Sequence, residues 1–85
     1  MPRRLRVLLF AGAREAVGAS ELAWEVPFAG ATVREVLATL EQRYPKLGPI
    51  CAHARFLVNS QYVRGTGGTV RPGDELAIHP PYSGG

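Results

Sequence analysis

Hydrophobic and polar positions alternate along this chain with a period that changes from one segment to the next. Residues 5–10 are nearly all apolar, which predicts a strand in the middle of a sheet, buried on both faces. Leu22, Trp24 and Val26 then alternate with acidic or small residues, which predicts a second strand with one buried face. The short link between the two, closed by Gly18, favours a helical turn and an antiparallel pair of strands.

The clearest helical pattern runs from Thr32 to Tyr44. Thr32 and Glu35 have the spacing of a capping box, in which a hydroxyl and a carboxylate satisfy free N–H groups at a helix start. Apolar residues then recur at helical spacing on one stripe, at Val33, Val36, Leu37 and Leu40. Pro45 ends the helix. This pattern predicts one main helix packed across a sheet.

The second half of the chain predicts three short strands. Residues 45–54 contain two prolines and a glycine, so we expect an irregular or briefly helical segment. Strands are predicted at 56–58, at 62–63 after a turn, and at 75–79, with the glycine-rich residues 65–68 as a flexible connection. The resulting order of strands and helix predicts an α+β fold, a ubiquitin-like β-grasp roll with a mixed sheet and one main helix.

Composition narrows the classes of function. The 85 residues are 46% hydrophobic and include one cysteine, which indicates one small globular domain without a disulfide framework. Ten cations are scattered among seven acids without a basic stripe, so nucleic-acid binding is not predicted. The chain starts like a signal peptide, but its apolar run is short and ends at Arg14. Since no run approaches a membrane span either, we expect a cytoplasmic protein without membrane contact.

Side chains inside the predicted domain offer little catalytic chemistry. Cys51 and His53 lack a second pair at metal-ligand spacing, so we predict no metal site and interpret the thiol as packed. His79 is interpreted as a packing or interface residue. Residues 65–68 lack the lysine and the following helix of a phosphate-binding loop. We therefore expect no cofactor bound by this chain.

The last residues, HPPYSGG, predict an extended C-terminal tail, so we divide the chain into a domain (1–79) and a flexible tail (80–85). Prolines end the preceding strand because they lack an N–H, and the final Gly-Gly pair carries no side chains. From Pro81 the tail can reach roughly 17 Å, far enough for its carboxylate to enter a partner's active site. A frayed terminus without chemistry is the alternative interpretation. A carboxylate becomes a good electrophile only when activated, which requires an ATP-using partner.

Several short motifs occur in a recognisable order. They are Phe10-Ala11 with Arg14-Glu15 and Gly18, Thr32-Val33 opening a helix with Leu37 and Leu40, Val58-Asn59, and the terminal pattern G-D-E-x-A-x-x-P-P-x-x-G-G at 73–85. In this order they resemble the MoaD type of ubiquitin-like sulfur carrier, in the MoaD/ThiS family, which includes the small subunit of molybdopterin synthase. The resemblance covers essentially the whole chain.

The resemblance implies that the chain is a non-catalytic carrier subunit of a sulfurtransferase complex. An E1-like adenylyltransferase (MoeB type) would use ATP to adenylate the carboxylate of Gly85, and a sulfur donor protein would convert it to a thiocarboxylate. The carrier would then donate sulfur to the cyclic pterin precursor, held by the large subunit of molybdopterin synthase (MoaE type), in molybdenum cofactor biosynthesis.

The resemblance also implies which residues contact these partners. They are Pro80, Pro81, Tyr82, Ser83 and Gly84 in the tail, with Phe10 and Arg14 as candidate contacts in the domain. His79 and Tyr82 depart from the commonest tail, which leaves the acceptor of the sulfur open. The alternatives are a carrier for thiamine or tRNA thiolation, a protein modifier joined through Gly85, and a binding module whose tail has no chemistry.

Overall fold

A computed structural model describes residues 3–81 of the chain, and within that range the strands form a five-stranded sheet and a separate two-stranded ladder. In chain order the elements are β1 (Arg4–Leu9), α1 (Ala11–Val17), β2 (Glu21–Glu25), β3 (Ala31–Thr32), α2 (Val33–Arg43), α3 (Leu47–Cys51), β4 (Arg55–Val58), β5 (Gln61–Val63), β6 (Thr69–Val70) and β7 (Glu75–His79). The large sheet has the order β2-β1-β7-β4-β5. No helix in this part of the chain is long and apolar enough to cross a bilayer.

The first two strands form the predicted antiparallel pair. Leu5 lies opposite Trp24 and Val7 lies opposite Leu22, so the alternating apolar residues share one face. The link is α1, which ends at Gly18 with φ of 85°, a left-handed conformation that glycine adopts without steric cost. The predicted antiparallel pair and the glycine that closes its helical link are confirmed.

The prediction that β1 is buried on both faces is wrong. Its burial alternates: Leu5, Val7 and Leu9 are buried, Arg6 is exposed, and Leu8 is half-buried. Within residues 3–81, the buried residues of the three helices join those of the strands in a single core, so none of these helices covers the other face of the sheet. Because Leu8 is apolar but only half-buried, the sequence of β1 suggested two buried faces where the strand has one.

β7 is the central strand of the sheet, and β1 lies beside it. β7 pairs in parallel with β1 and antiparallel with β4, which makes the sheet mixed, as predicted. Leu76, Ala77 and Ile78 are all buried, a run that is typical of a central strand. This parallel pairing joins residues about seventy positions apart, so the local pattern gave no signal for it.

The main helix α2 begins and packs as predicted. The Glu35 backbone N–H donates to Thr32 Oγ1 at 3.1 Å, and the Thr32 N–H donates to Glu35 Oε1 at 2.8 Å, which completes the capping box. The four predicted core residues, Val33, Val36, Leu37 and Leu40, are buried. The helix ends at Arg43, and Tyr44 caps it before Pro45.

A two-stranded ladder of β3 and β6 was not predicted, because strands of two residues are too short to show a period. Ala31 pairs with Val70, and Thr32 pairs with Thr69. The predicted connection at 65–68 lies next to this ladder. The Val33 N–H donates to the Gly68 carbonyl at 2.7 Å, so backbone oxygens and not a phosphate satisfy the start of α2.

Candidate functional site

The candidate site is the edge of the sheet from which the C-terminal segment leaves. Because β1 and β7 run in parallel, their C-terminal ends lie at the same edge, with Leu9 opposite Ile78. The next residues, Phe10 and His79, are therefore neighbours although they lie far apart in sequence. Pro80 follows His79 directly, so this edge is the base of the tail.

Phe10 and His79 stack at the base of the tail. Their ring centroids are 4.1 Å apart, and the ring planes differ by 17°. The Phe10 N–H donates to the Ile78 carbonyl at 3.3 Å, which extends the β1–β7 pairing to the edge. Phe10 stays 40% exposed despite the stack. The pair forms an aromatic surface at the end of β7, directly before Pro80.

Phe10 is also the N-terminal capping residue of α1, and Arg14 lies one helical turn after it. The Phe10 carbonyl accepts hydrogen bonds from the Ala13 N–H at 3.0 Å and the Arg14 N–H at 3.4 Å. Ala11 has φ of 49°, an uncommon conformation for a residue with a Cβ, which turns the chain sharply from strand to helix. Arg14 is exposed. The structure thus places Phe10 beside His79 and Arg14 one helical turn after Phe10, and their roles as partner contacts stay predictions.

Two concavities flank Pro80 and Pro81. The larger has a volume of about 650 Å³ and is lined by His53, Arg55, Leu57, Tyr62, His79, Pro80 and Pro81. The smaller, about 250 Å³, lies on the α1 and α3 side and is lined by Ala11, Gly12, Pro49, Ile50, His53, Pro80 and Pro81. The two prolines form a ridge between them. A partner that binds the tail would meet both concavities.

The helix-free side of the sheet leads into the larger concavity. A row of side chains crosses it at one register: Leu8 lies beside Ala77, Ala77 opposite Leu57, and Leu57 opposite Tyr62. Tyr62 is 64% exposed. We call these four residues the open face. It is the part of the sheet surface that an apolar partner surface would cover.

Sequence reasoning missed His53, Arg55, Leu57 and Tyr62 as site residues. Leu57 and Tyr62 were assigned to strands, and the alternation of buried Phe56 with its neighbours signals that Leu57 faces the other side. Only the pairing of β4 with β7 shows that this other side adjoins the tail. His53 drew attention in the sequence only as a neighbour of Cys51, and nothing there linked it to the tail.

Catalytic groups do not converge within residues 3–81. No three His, Cys, Asp or Glu side chains in that range come together as a metal site. Cys51 is buried, and desolvation, followed by the nearby charge of Glu41, raises the pKa of its thiol to about 11. Such a thiol is almost entirely protonated at neutral pH and is a poor nucleophile. Cys51 lines a separate groove between α2 and α3, whereas His53 lines the concavities beside Pro80 and Pro81. The two side chains therefore do not form a catalytic pair.

The remaining predicted site residues lie outside the described part of the chain. They are Tyr82, Ser83, Gly84 and Gly85, which make up four of the six residues of the predicted tail (80–85). Pro80 and Pro81 are described, and they follow β7 directly. The division into a domain and a tail stays a prediction.

Comparison with known proteins finds relatives over nearly the full length. A sequence profile of the ThiS family matches residues 7–85. The molybdopterin synthase sulfur carrier subunit of Chlamydomonas reinhardtii is 36% identical over 83 residues, which are 96% of this chain and 99% of that protein. The protein of the same name from Arabidopsis thaliana is 37% identical over 81 residues, covering 95% of this chain and 82% of the relative.

Solved structures share the fold. The small archaeal modifier protein 1 from Methanosarcina acetivorans aligns with a TM-score of 0.79 and 31% identity, covering 100% of this chain and 99% of that one. A chain in the complex of subunits 1 and 2 of molybdopterin-converting factor from Helicobacter pylori aligns with a TM-score of 0.64. At 16% identity, over 96% of this chain and 99% of that one, the second likeness concerns the fold alone. The predicted ubiquitin-like β-grasp roll is confirmed.

Proposed function

Because this chain belongs to the ThiS family, we propose that it is the sulfur carrier subunit of a molybdopterin synthase. The observation that supports this proposal best is the 36% and 37% identity, over nearly the whole chain, to two proteins named for that function. The fold adds a second reason, since it holds the base of the tail at the edge of an open sheet face.

The chemistry of the proposal takes place at the carboxylate of Gly85. An E1-like adenylyltransferase joins this carboxylate to the α-phosphate of ATP and releases pyrophosphate. Sulfide-level sulfur, delivered by a donor protein as hydrosulfide, then attacks the carbonyl carbon and displaces AMP, which leaves a thiocarboxylate. When that sulfur bonds to the cyclic pterin precursor, water hydrolyses the bond between the sulfur and the Gly85 carbonyl carbon and restores the carboxylate, so the chain is a carrier that partners recharge.

Catalysis in this scheme belongs to the partners. The thiol in the described part of the chain is buried and protonated, and no metal site is found there. What the chain contributes is positioning: a docking surface in the domain and a terminal segment without bulky side chains at Gly84 and Gly85. In this proposal ATP binds to the activating enzyme and not to this chain. Adenylation and sulfur transfer take place in the cytoplasm.

The partner that holds the sulfur-accepting precursor is proposed to be a large subunit of molybdopterin synthase. It would cover the open face and the stacked Phe10 and His79, and the tail from Pro80 to Gly85 would reach its active site. Arg14, one turn after Phe10, would lie at the border of the contact. In the solved Helicobacter pylori complex, a protein of the same fold is bound to its second subunit.

Intact-mass measurement tests the charging step. The protein is incubated with ATP, a sulfide source and the E1-like enzyme of the same organism, and a variant lacking Gly85 is treated in parallel. We expect a gain equal to one sulfur replacing one oxygen in the full chain and none in the variant. An unchanged mass, with an enzyme that is active on another carrier, would contradict the proposal.

A second assay identifies the acceptor. The thiocarboxylated protein is mixed with the large subunit and the cyclic pterin precursor, and molybdopterin is measured. Product formation is expected, whereas charged protein that transfers no sulfur to this precursor would direct attention to thiamine or tRNA thiolation.

A protein modifier is the second candidate, because the Methanosarcina acetivorans relative with the same fold is named a modifier. Modification would use the same adenylated carboxylate of Gly85 but end in an isopeptide bond to a lysine. Immunoblots of cell extracts separate the two functions. Higher-mass conjugates that disappear when Gly85 is deleted would support the modifier, and a single band at the mass of the free chain would not.

A further inference from the structure

The larger concavity beside Pro80 has a basic rim. Of its seven lining residues, three carry a fixed or titratable positive charge: His53, Arg55 and His79. We call these three the basic rim. Arg55 lies directly opposite His79 in the β4–β7 pairing, so the two side chains stand together on the helix-free side of the sheet. None of the lining residues is acidic.

At the opposite end of the same sheet side, the cation Arg6 has acidic partners. Arg6 Nε lies 2.9 Å from a Glu21 carboxylate oxygen, and Arg6 Nη1 lies 3.4 Å from Glu75. The hydrogen bond to Glu21, and then the charge of Glu21, raise the pKa of Arg6. Two carboxylates thus neutralise the cation there.

Arg55 has no such counter-charge within residues 3–81, where the ion pairs found are the two of Arg6. It is exposed, and its neighbours across the concavity are imidazoles and the apolar groups of Leu57 and Tyr62. A partner that buries this face would strip water from the Arg55 guanidinium. Such burial costs several kcal/mol unless a counter-charge offsets it, which favours an occupant that supplies a carboxylate.

We propose that the partner protein covering the open face inserts an aspartate or glutamate side chain into the concavity beside Pro80, where its carboxylate pairs with Arg55. A guanidinium offers two parallel N–H donors to a carboxylate, and Tyr62 and Leu57 supply apolar contact for the rest of the inserted segment. His53 and His79 border the pair. This inference rests on the proposed function and specifies the chemistry of the partner.

Zero-length cross-linking tests the pair directly. Lys46 is the chain's one lysine, so R55K introduces a single new amine, which a carbodiimide joins only to a carboxylate in contact with it. The R55K protein is cross-linked in complex with the large subunit of molybdopterin synthase and digested for mass spectrometry. We expect a link from position 55 to a partner Asp or Glu. A link to the chain's own C-terminal carboxylate, or none in an assembled complex, would overturn the proposal.

Binding measurements give an independent test. R55E should weaken the affinity for the large subunit roughly tenfold or more at low salt and flatten its salt dependence. The matched control is R71E, which makes the same charge change at an exposed turn at the other end of β7 and should alter affinity far less. Equal effects of R55E and R71E would show that only net charge matters, which contradicts a specific pair.

The two proposals fail in different ways. If the unaltered chain binds the large subunit and accepts sulfur while R55E behaves like the unaltered chain, the proposed function stands and the acidic contact is wrong. If the unaltered chain binds neither the large subunit nor the E1-like enzyme, both are wrong. Thermal unfolding of R55E and R71E confirms that each variant is folded before its affinity is interpreted.

Discussion

At the scale of single residues, the environment of Cys51 explains why the chain's one thiol is not part of its chemistry. The residue closes α3 and joins the core, where desolvation raises its pKa from an ordinary value of 9.0 to about 11. The nearby Glu41 carboxylate adds to this shift because a second negative charge is unfavourable. The sequence-based interpretation of a packed thiol is confirmed.

The raised pKa of Cys51 predicts slow alkylation and an alkaline loss of stability. At pH 8 the folded chain should contain roughly 100-fold less thiolate than an ordinary cysteine, so iodoacetamide should react far more slowly than in denaturant. Because the folded pKa lies above that of the unfolded chain, this contribution to stability is complete below about pH 9 and is lost toward pH 11. C51A should lack that component of the pH slope. Native labelling at the rate of a free peptide thiol would contradict the prediction.

At the scale of elements, the start of α2 ties distant parts of the chain together. Its capping box satisfies the N–H groups of Thr32 and Glu35. The N–H groups between them donate to carbonyls of the glycine-rich segment 65–68, with the Arg34 N–H donating to the Thr66 carbonyl at 3.0 Å. The turn before it places Gly30 at φ of 100°, where a Cβ would lie 3.0 Å from the Val70 carbonyl. The β3–β6 ladder therefore needs a glycine at this position.

Replacing Thr32 tests the capping box. T32A removes the acceptor of the Glu35 N–H and should lower the free energy of unfolding by about 1 kcal/mol, while T32S keeps the hydroxyl and should lose much less. Chemical denaturation of both variants measures the difference. Equal stability of T32A and the unaltered chain would show that water or the neighbouring carbonyls replace the cap.

A second link between elements connects two motifs of the resemblance. The Asn59 side-chain amide donates to Asp74 Oδ1 at 3.0 Å, and the Glu75 N–H donates to Asn59 Oδ1 at 3.0 Å. Asn59 and Ser60 both have positive φ, at 50° and 69°, which suits a two-residue hairpin turn. The Val58-Asn59 and Gly73-Asp74-Glu75 motifs are thus explained by one cluster of hydrogen bonds beside the central strand.

At the scale of the whole molecule, the packed core and the proposed docking surface lie on opposite faces of the sheet. The helices and the core lie on one side of the sheet, and the open face with the basic rim lies on the other. Within residues 3–81, the buried core runs from Leu5 to Ile78. Changes to the tail and changes to the core should therefore separate activity from stability.

Deleting Gly85 and replacing Leu37 make this separation measurable. The deletion should change the free energy of unfolding by less than about 0.5 kcal/mol and abolish thiocarboxylate formation. L37A should cost about 2 to 5 kcal/mol yet still accept sulfur at temperatures where it is folded. Thermal unfolding and intact mass provide the two readouts. A marked loss of stability in the deletion variant would show that the tail packs against the domain.

Much of the fold and part of the site could be predicted because they depend on neighbouring residues. The capping box, the stripe from Val33 to Leu40, the α1 stop at Gly18 and the alternating β2 are all local patterns. The short β3 and β6 ladder was missed because two residues carry no period. The face of β1 was misjudged because Leu8 is apolar but only half-buried.

The sequence by itself determined the main strands and helices, their order, and the order of motifs that resembles a sulfur carrier with a terminal Gly-Gly. Only the tertiary structure decided that β7 is the central strand, that Phe10 stacks on His79, and that Arg55 and Tyr62 border the base of the tail. The physical reason is distance along the chain. Caps and amphipathic stripes arise between residues a few positions apart, whereas the site forms from strand pairings that join the two ends of the chain.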